Sequence, residues 1–283
     1  MGELNTFING EFTTAEKAVL PIEDRGMLFG DGVYDFTRCY IDGVPFQLEV
    51  YLERLSKSAA AIDLELPYTR EEIKAIITEL LEKSGTKQAG IYMQATRGCT
   101  APRDHAFPQV VKPTFFIIAR ELEPEPPEIM TAGMKAILVP DQRWGRCDIK
   151  SLNLLPNIMA KEKAAQQGAY EAILYRDYGV MEGSSTSVFA VFDGTLYTTP
   201  PGNWVLPSVT KRTLLKLGKE IGHPVEYKFI PKDEIYKADE VFTASSRFNV
   251  VPITRIDEEI IGSGKPGPIT CELKKAFVRF ATT

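Results

Sequence analysis

Histidine and cysteine are scarce in this chain, and their scarcity removes whole classes of chemistry. There are two histidines, His105 and His223, in 283 residues. A histidine-built metal centre is therefore excluded, and imidazole catalysis has few candidates. The four cysteines, Cys39, Cys99, Cys147 and Cys271, are scattered without C-x-x-C spacing. That pattern supports neither a zinc site nor a disulfide framework. No apolar run reaches the roughly 20 residues of a membrane-spanning helix. The first residues lack a charged-then-apolar signal region, so a cytoplasmic protein is expected. Rossmann and Walker fingerprints are missing, which leaves nucleotide cofactors without support. A serine elbow is missing too, which speaks against a hydrolase. An excess of one charge is lacking as well: the formal net charge is −5, too mild to favour nucleic acid as a partner. No internal repeat or low-complexity tract interrupts the chain.

What remains is ordinary globular material. Hydrophobic residues make up 44% and charged residues 25%, enough to bury one large core or two modest ones. Asn9-Gly10 between Phe7-Ile8 and Glu11-Phe12 is a hairpin signal. Strands are expected over 33–40, 89–96, 113–119, 134–139, 171–175, 188–192, 195–199, 225–230 and 239–243. Helices are expected over 49–61, 69–84, 154–167, from about 208 to 221, and over 269–280. Thr69 and Glu72 have the spacing of a capping box, and Pro156 falls in a first turn where it is tolerated. The acidic, proline-rich run Leu122-Glu123-Pro124-Glu125-Pro126-Pro127 is the best boundary. It divides an N-terminal domain over 1–121 from a C-terminal domain over 128–283, with 122–127 as linker.

Several segments carry chemistry-bearing residues, and each has a plain alternative. Lys150 follows the apolar run 136–140 and precedes Leu152, Leu154 and Leu155. A lysine among such neighbours loses hydration, which favours the neutral amine of a Schiff-base lysine; the alternative is a lysine snorkelling out of a half-buried loop. Tyr34 closes a glycine-rich stretch from Asp24 to Asp35, whose three glycines allow tight turns, and reads equally as a core tyrosine. Arg54 lies on a helix, where its guanidinium fork either binds phosphate or is solvated. The loop from Thr96 to Pro108, with Arg103 and His105, is a functional loop or a solvated one. Glu182 before Gly183-Ser184-Ser185 is a turn carboxylate or a partner for a buried nitrogen. Val209 and Thr210 open a helix whose free N–H groups favour an anion, while Ser208 alone reads as an N-cap.

Taken in order, these motifs resemble those of D-amino-acid aminotransferases. These belong to the class IV, fold-type-IV pyridoxal-phosphate enzymes, together with branched-chain aminotransferases and aminodeoxychorismate lyase. Cys147-Asp148-Ile149-Lys150-Ser151-Leu152-Asn153 resembles the cofactor-lysine motif, and the likeness runs from about Phe7 to Phe280. It implies an α/β (α+β) fold of two domains, a small N-terminal and a larger C-terminal one, with the cofactor between them in a homodimer. It implies that Lys150 holds pyridoxal 5'-phosphate as a Schiff base. Arg54, Val209, Thr210, Ser245 and Ser246 would bind the phosphate, and Glu182 the pyridine nitrogen, with Arg143 and Glu171 behind it. Tyr34, Arg103 and His105 would bind the substrate carboxylate. In those enzymes the Arg and His of Pro-Arg-x-His-x-Phe-Pro reach from one subunit into the neighbour's active site.

The implied reaction is ping-pong transamination of a D-amino acid with 2-oxoglutarate or pyruvate, through pyridoxamine phosphate. Alternatives on the same fold are a branched-chain L-amino-acid aminotransferase and aminodeoxychorismate lyase; Arg103 and His105 speak against both. A non-catalytic cofactor-binding protein is the alternative of a different class. This sequence departs from the family pattern at Asp35, one methylene shorter than glutamate, and at Tyr51, Ser187, Ser208 and Arg247. Arg247 either favours acidic side chains or faces solvent.

Overall fold

The computed structural model describes residues 4–283. The chain forms two compact units. One comprises residues through Glu123 together with Ile149–Asn153; the other comprises Pro124–Asp148 and Leu154–Thr283. A boundary at the proline-rich run assigns Lys150 to the C-terminal domain, whereas its segment groups with the first unit.

The first unit is a six-stranded antiparallel sheet with two long helices among the described residues. Its elements are β1 (Thr6–Ile8), β2 (Glu11–Thr13), α1 (Arg25–Phe29), β3 (Gly32–Ile41), β4 (Val44–Pro45), α2 (Leu48–Ala60), α3 (Arg70–Ser84), β5 (Ala89–Thr96) and β6 (Thr114–Glu121). The strand order is β2-β1-β6-β5-β3-β4. The hairpin at Asn9-Gly10 forms as its turn chemistry dictates, with Asn9 at φ 49° and Gly10 at φ 104°. Period-2 alternation along β3 buries Val33, Asp35, Thr37 and Cys39 and turns Tyr34, Phe36, Arg38 and Tyr40 to the other face. Leu52, Leu55 and Ala59 of α2 and Ile73, Ile77, Leu80 and Leu81 of α3 join the core with Ile91, Met93, Phe115 and Ile117. The expected capping box is present: the Thr69 hydroxyl accepts from Glu72 N, and Glu72 accepts from Thr69 N at 2.7 Å.

The second unit is a nine-stranded mixed sheet with four α-helices among the described residues. It begins with α4 (Glu128–Thr131), β7 (Met134–Pro140), α5 (Leu155–Gln166), β8 (Glu171–Arg176), β9 (Gly179–Gly183), β10 (Ser187–Phe192) and β11 (Thr195–Thr198). It continues with α6 (Val209–Glu220), β12 (Val225–Tyr227), a 3-10 turn, β13 (Glu240–Ser245), β14 (Asn249–Ile256), β15 (Glu259–Ile260) and α7 (Pro268–Ala281). The order is β12-β11-β10-β13-β14-β7-β8-β9, with β15 on β14. The β14/β7, β7/β8 and β11/β12 pairs are parallel and the others antiparallel. Phe189 and Phe242 stack across β10 and β13 at 4.7 Å. Among the described residues no helix is long and apolar enough to cross a membrane.

Several elements depart from the sequence reading. Gly26, Gly30 and Gly32 read as tight turns, yet a helix, α1, forms over Arg25–Phe29. It is capped by the Asp24 carboxylate on Gly26 N and stopped by Gly30 at φ 67°. β9 escapes the alternation rule because it is buried on both faces. The stretch after Ser245 reads as loop because Asn249 follows a polar turn, yet 249–256 pairs with β13 and then β15 along one edge and with β7 along the other. The strand expected over 225–230 ends at Tyr227.

Asp24 ties α1 to the sheet. Its carboxylate accepts from Gly26 N at 2.8 Å, Thr96 Oγ1 at 2.9 Å and Thr114 Oγ1 at 2.8 Å. Asp24→Ala would remove a helix cap and leave two buried hydroxyls unsatisfied. Urea unfolding should show a loss of about 2–4 kcal/mol.

Candidate active site

Lys150 is fixed by its backbone before its side chain does anything. Tyr34 N donates to Lys150 O at 3.0 Å, and Leu152 N donates to Gly32 O at 3.0 Å. Ser151 thereby makes a β-bridge to Val33 at the start of β3. Lys150 N donates to Ser58 Oγ of α2 at 3.2 Å, and Ile149 is buried in the first unit's core. The root of the side chain is thus held by a strand, a helix and an apolar anchor. Its Nζ lies 4.3 Å from the centre of the Tyr34 ring. Tyr34 stacks on Tyr92 at 5.6 Å, and Tyr92 neighbours Phe116 at 6.1 Å. A row of rings therefore crosses β3, β5 and β6 on the face to which the lysine amine is turned.

Arg54 and Asp35 form a buried pair. Arg54 donates from Nε to Asp35 Oδ2 at 2.9 Å and from Nη2 to Asp35 Oδ1 at 2.6 Å. Burial works against the guanidinium's charge, but the Asp35 carboxylate outweighs it and holds the Arg54 pKa above its ordinary value. The contact of Asp35, left open by its shortened side chain, is this one. Tyr51 lies beneath the same guanidinium at 5.2 Å.

Arg103 and His105 are both exposed on the loop between β5 and β6. Arg103 lies 4.3 Å over the Phe29 ring, and the His105 ring is 5.3 Å from it. The first unit thus brings Tyr34, Asp35, Arg54 and Lys150 to one region of β3 and α2, and collects Arg103 and His105 on α1.

In the second unit Glu182, at the end of β9, is 7% exposed and engaged on two sides. Arg143 Nη1 bonds its Oε1 at short range, and Leu206 N donates to Oε2 at 3.1 Å. Arg143 in turn donates from Nε and Nη2 to the two oxygens of Asp141, each at 2.9 Å, and from Nη2 to Trp204 O at 3.0 Å. Arg176 donates to Asp141 Oδ2 at 2.8 Å. Burial pushes the Glu182 carboxyl up, and Arg143 and the Leu206 amide offset part of that. Burial also opposes the Arg143 charge, but Asp141 and Glu182 overcome it and raise its pKa. The resemblance implies both Arg143 and Glu171 behind Glu182. Arg143 is there. Glu171 instead accepts from Ser184 N and Oγ and from Thr186 Oγ1, bracing the Glu-Gly-Ser-Ser turn from below.

α6 starts at Val209 with Ser208 as its N-cap, the Ser208 hydroxyl accepting from Lys211 N at 3.1 Å. The plain reading of Ser208 therefore holds. Val209 and Thr210 lie in the first turn, whose N–H groups have no partner within the helix. The Thr210 hydroxyl is buried and makes no hydrogen bond among the described residues; the same is true of Thr243 on β13. Ser245 ends β13, where its Oγ receives Phe248 N at 3.4 Å, and Ser246 follows in the turn. Arg247 is exposed, 4.9 Å over the Phe248 ring. Ser187 is buried at the start of β10, paired with Ala244.

Asp141, Arg176 and Lys211 carry no signal in the sequence. Asp141 and Arg143 stand two apart in a loop, a spacing without a pattern, and Arg176 comes from another strand. Lys211 lies behind the first turn of α6, where its Nζ donates to Thr199 O at 2.5 Å.

Residues 32–256 match the family model of class IV aminotransferases. The chain is 41% identical over 275 residues to a D-alanine aminotransferase of Staphylococcus haemolyticus, covering 97% of this chain and 96% of that one. A D-alanine aminotransferase of Bacillus licheniformis is also 41% identical, over 279 residues with the same coverage. In structure the chain resembles the branched-chain aminotransferase of Thermoproteus uzoniensis with norvaline, with TM-score 0.86 and 26% identity over 99% of this chain and 95% of that one. The fold is shared as well with the Escherichia coli branched-chain enzyme, TM-score 0.89 at 24% identity over 99% and 95%. The chain belongs to the class IV aminotransferases, which are pyridoxal-phosphate enzymes. Its residues fit that cofactor: the first unit offers a backbone-fixed amine beside aromatic rings, and the second a buried carboxylate and a helix start with an orphaned hydroxyl.

Burial lowers the Lys211 pKa to about 8, against a partial rise from Glu182. Below pH 8 the lysine is charged both folded and unfolded, and the fold bears the full cost of burying that charge. As pH rises from 8 toward the unfolded value near 10.4 the folded lysine has already lost its proton, and the cost is relieved. Lys211→Met should therefore lack a gain in stability on the order of 2–3 kcal/mol that the unaltered protein shows across this window, read by urea unfolding at pH 7.5 and 10.

Proposed function

We propose that this class IV aminotransferase acts on D-amino acids, transferring the amino group to a 2-oxo acid such as 2-oxoglutarate or pyruvate. The observation that carries the proposal is the 41% identity, over 97% of the chain, to proteins named D-alanine aminotransferase. The likeness to branched-chain enzymes is one of fold at lower identity. Arg103 and His105 fit the D-specific reading, and an amino acid whose carboxylate meets their donors is held by charge-assisted bonds.

When bound, pyridoxal phosphate supplies an aldehyde carbon and an electron-accepting ring. In this proposal Lys150 Nζ is the amine that holds the aldehyde at rest; once released, it takes the proton from the substrate Cα. One amine would serve both purposes, its backbone being rooted by Tyr34, Gly32 and Ser58. Glu182 would hold the proton of the pyridine nitrogen, with Arg143 and Leu206 N fixing the carboxylate's orientation. Val209, Thr210, Ser245, Ser246 and Arg54 would bind phosphate: a helix start and hydroxyls suit its oxygens, and Asp35 fixes the plane of the Arg54 fork. Tyr34, Arg103 and His105 would grip the α-carboxylate and so decide which face of Cα meets Lys150. Asp35, which holds Arg54, and Tyr34 lie on opposite faces of β3.

A homodimer belongs to the proposal, with Arg103 and His105 contributed to the neighbouring subunit's site. Apolar side chains left in solvent support it: Val19, Ile22, Met27 and Val110 on the first unit, and Leu155, Ile158 and Met159 on one face of α5. A cytoplasmic setting accords with four free thiols.

The purified protein should absorb near about 420 nm and be bleached by D-alanine but not by L-alanine. Lys150→Ala should abolish both the band and transamination; persistence of either at full strength would refute the assignment. Glu182→Gln should retain bound cofactor but lower kcat by about 100–1000-fold, measured by a coupled assay for the released oxo acid.

A further inference from the structure

We infer that α1 and the aspartate that follows it are the seat of the carboxylate-binding loop: Arg25, Phe29 and Asp31 are positioning residues that fix where Arg103 and His105 stand. The inference rests on the proposed role of those two residues. It adds the parts of the chain that make an exposed loop accurate enough to discriminate substrates.

The loop carrying Arg103 and His105 is exposed from Cys99 through Phe107, Thr100 being half-buried. Over Arg103–Phe107 it belongs to no strand and makes no β-bridge among the described residues. A solvated loop of this kind, left to itself, samples many conformations. Here its backbone is gripped by one buried guanidinium. Arg25 donates from Nη1 to Asp104 O at 2.7 Å and Ala106 O at 3.2 Å, and from Nη2 to His105 O at 3.2 Å. Three successive carbonyls, centred on His105, thus converge on a single side chain that is 3% exposed. Arg25 N also donates to Gly98 O at 2.9 Å, tying the helix to the loop's root.

Arg25 is itself aimed by Asp31. Its Nε donates to Asp31 Oδ2 at 2.8 Å, and the same oxygen receives Arg97 Nε at 2.8 Å. Arg97 donates onward to Asp63 O and Ile62 O at 2.8 and 2.7 Å, and lies 3.6 Å beneath the Phe107 ring at the far end of the loop. One carboxylate therefore sets two guanidiniums that hold the loop at separate points.

Phe29 acts on the side chains rather than the backbone. Its ring has Arg103 at 4.3 Å, His105 at 5.3 Å and Arg25 at 4.8 Å. Stacking uses the face of a guanidinium and leaves its in-plane N–H donors for a carboxylate. Arg25 thus holds the backbone at and beside His105, and Phe29 holds the Arg103 and His105 side chains themselves.

The test uses the holoenzyme and follows the D-alanine half-reaction by cofactor absorbance, separating the substrate Kd from the limiting rate. Arg25→Lys keeps the charge but loses the fork, and should raise Kd by about 10–100-fold while the limiting rate changes less than about threefold. The cofactor band should not move. Tryptic cleavage after Arg103 should quicken. Phe29→Leu, which leaves the backbone anchors in place, should raise Kd by a smaller factor without quickening cleavage. Unchanged Kd in both variants, where Arg103→Ala and His105→Ala raise it, would overturn the inference. So would a fall in limiting rate together with loss of the cofactor band, the mark of a merely structural role. If Arg103→Ala and His105→Ala leave Kd unchanged, the carboxylate assignment itself fails and this role of α1 falls with it.

Discussion

A reactive amine at the end of four methylenes is useful only when its root is immobile, and the hydrogen bonds between the lysine segment and the first residues of β3 provide that. Tyr34 N to Lys150 O and Leu152 N to Gly32 O make the segment a short extra strand. β4 pairs with β3 only at its other end, through Cys39 and Ile41, so the start of β3 has an edge to offer. The same bond that fixes Lys150 fixes Tyr34, because one residue's amide and the other's carbonyl are joined. Amine and ring are thus placed by one backbone interaction, not by two independent foldings of side chains.

The second dependence is electrostatic. A buried glutamate is costly unless a charge partner and hydrogen bonds accompany it. Here the partner is Arg143, held in plane by Asp141, which is steadied by Arg176. Alternating charges along this series leave none of its members unpaired, and the carboxylate at its end keeps a fixed direction. Asp35 and Arg54 repeat the logic in the other unit, as does Asp31 between Arg25 and Arg97. Directional charge-assisted bonds replace mobile solvent as the means of orientation.

The long helices and most strands are legible in the sequence because their signals are local: the Asn9-Gly10 turn, the capping box at Thr69, Pro156 in the first turn of α5. The motif residues are legible as residue types in order, from Tyr34 to Ser246. Their wiring is not. Asp35 reads as a weakened match and is in fact the partner of Arg54. Glu171 reads as support for Glu182 and instead holds Ser184 and Thr186. Asp141, Arg176 and Lys211 act through contacts between distant positions, which no periodicity announces. β9 escapes detection because a strand buried on both faces carries no alternation, and β14 because the polar turn before Asn249 reads as loop.

The lysine segment, Ile149–Asn153, belongs to the first unit although its flanks on both sides belong to the second. The chain therefore returns to its earlier half to complete an edge, then leaves again. A gene divided at the proline-rich linker would yield an N-terminal fragment with an unfilled place beside β3 and a C-terminal fragment bearing an amine without its bed. Shuffling these halves among homologous genes would join a lysine from one parent to a strand edge from another. The two must consequently be inherited as a matched set, however separable the linker makes them look.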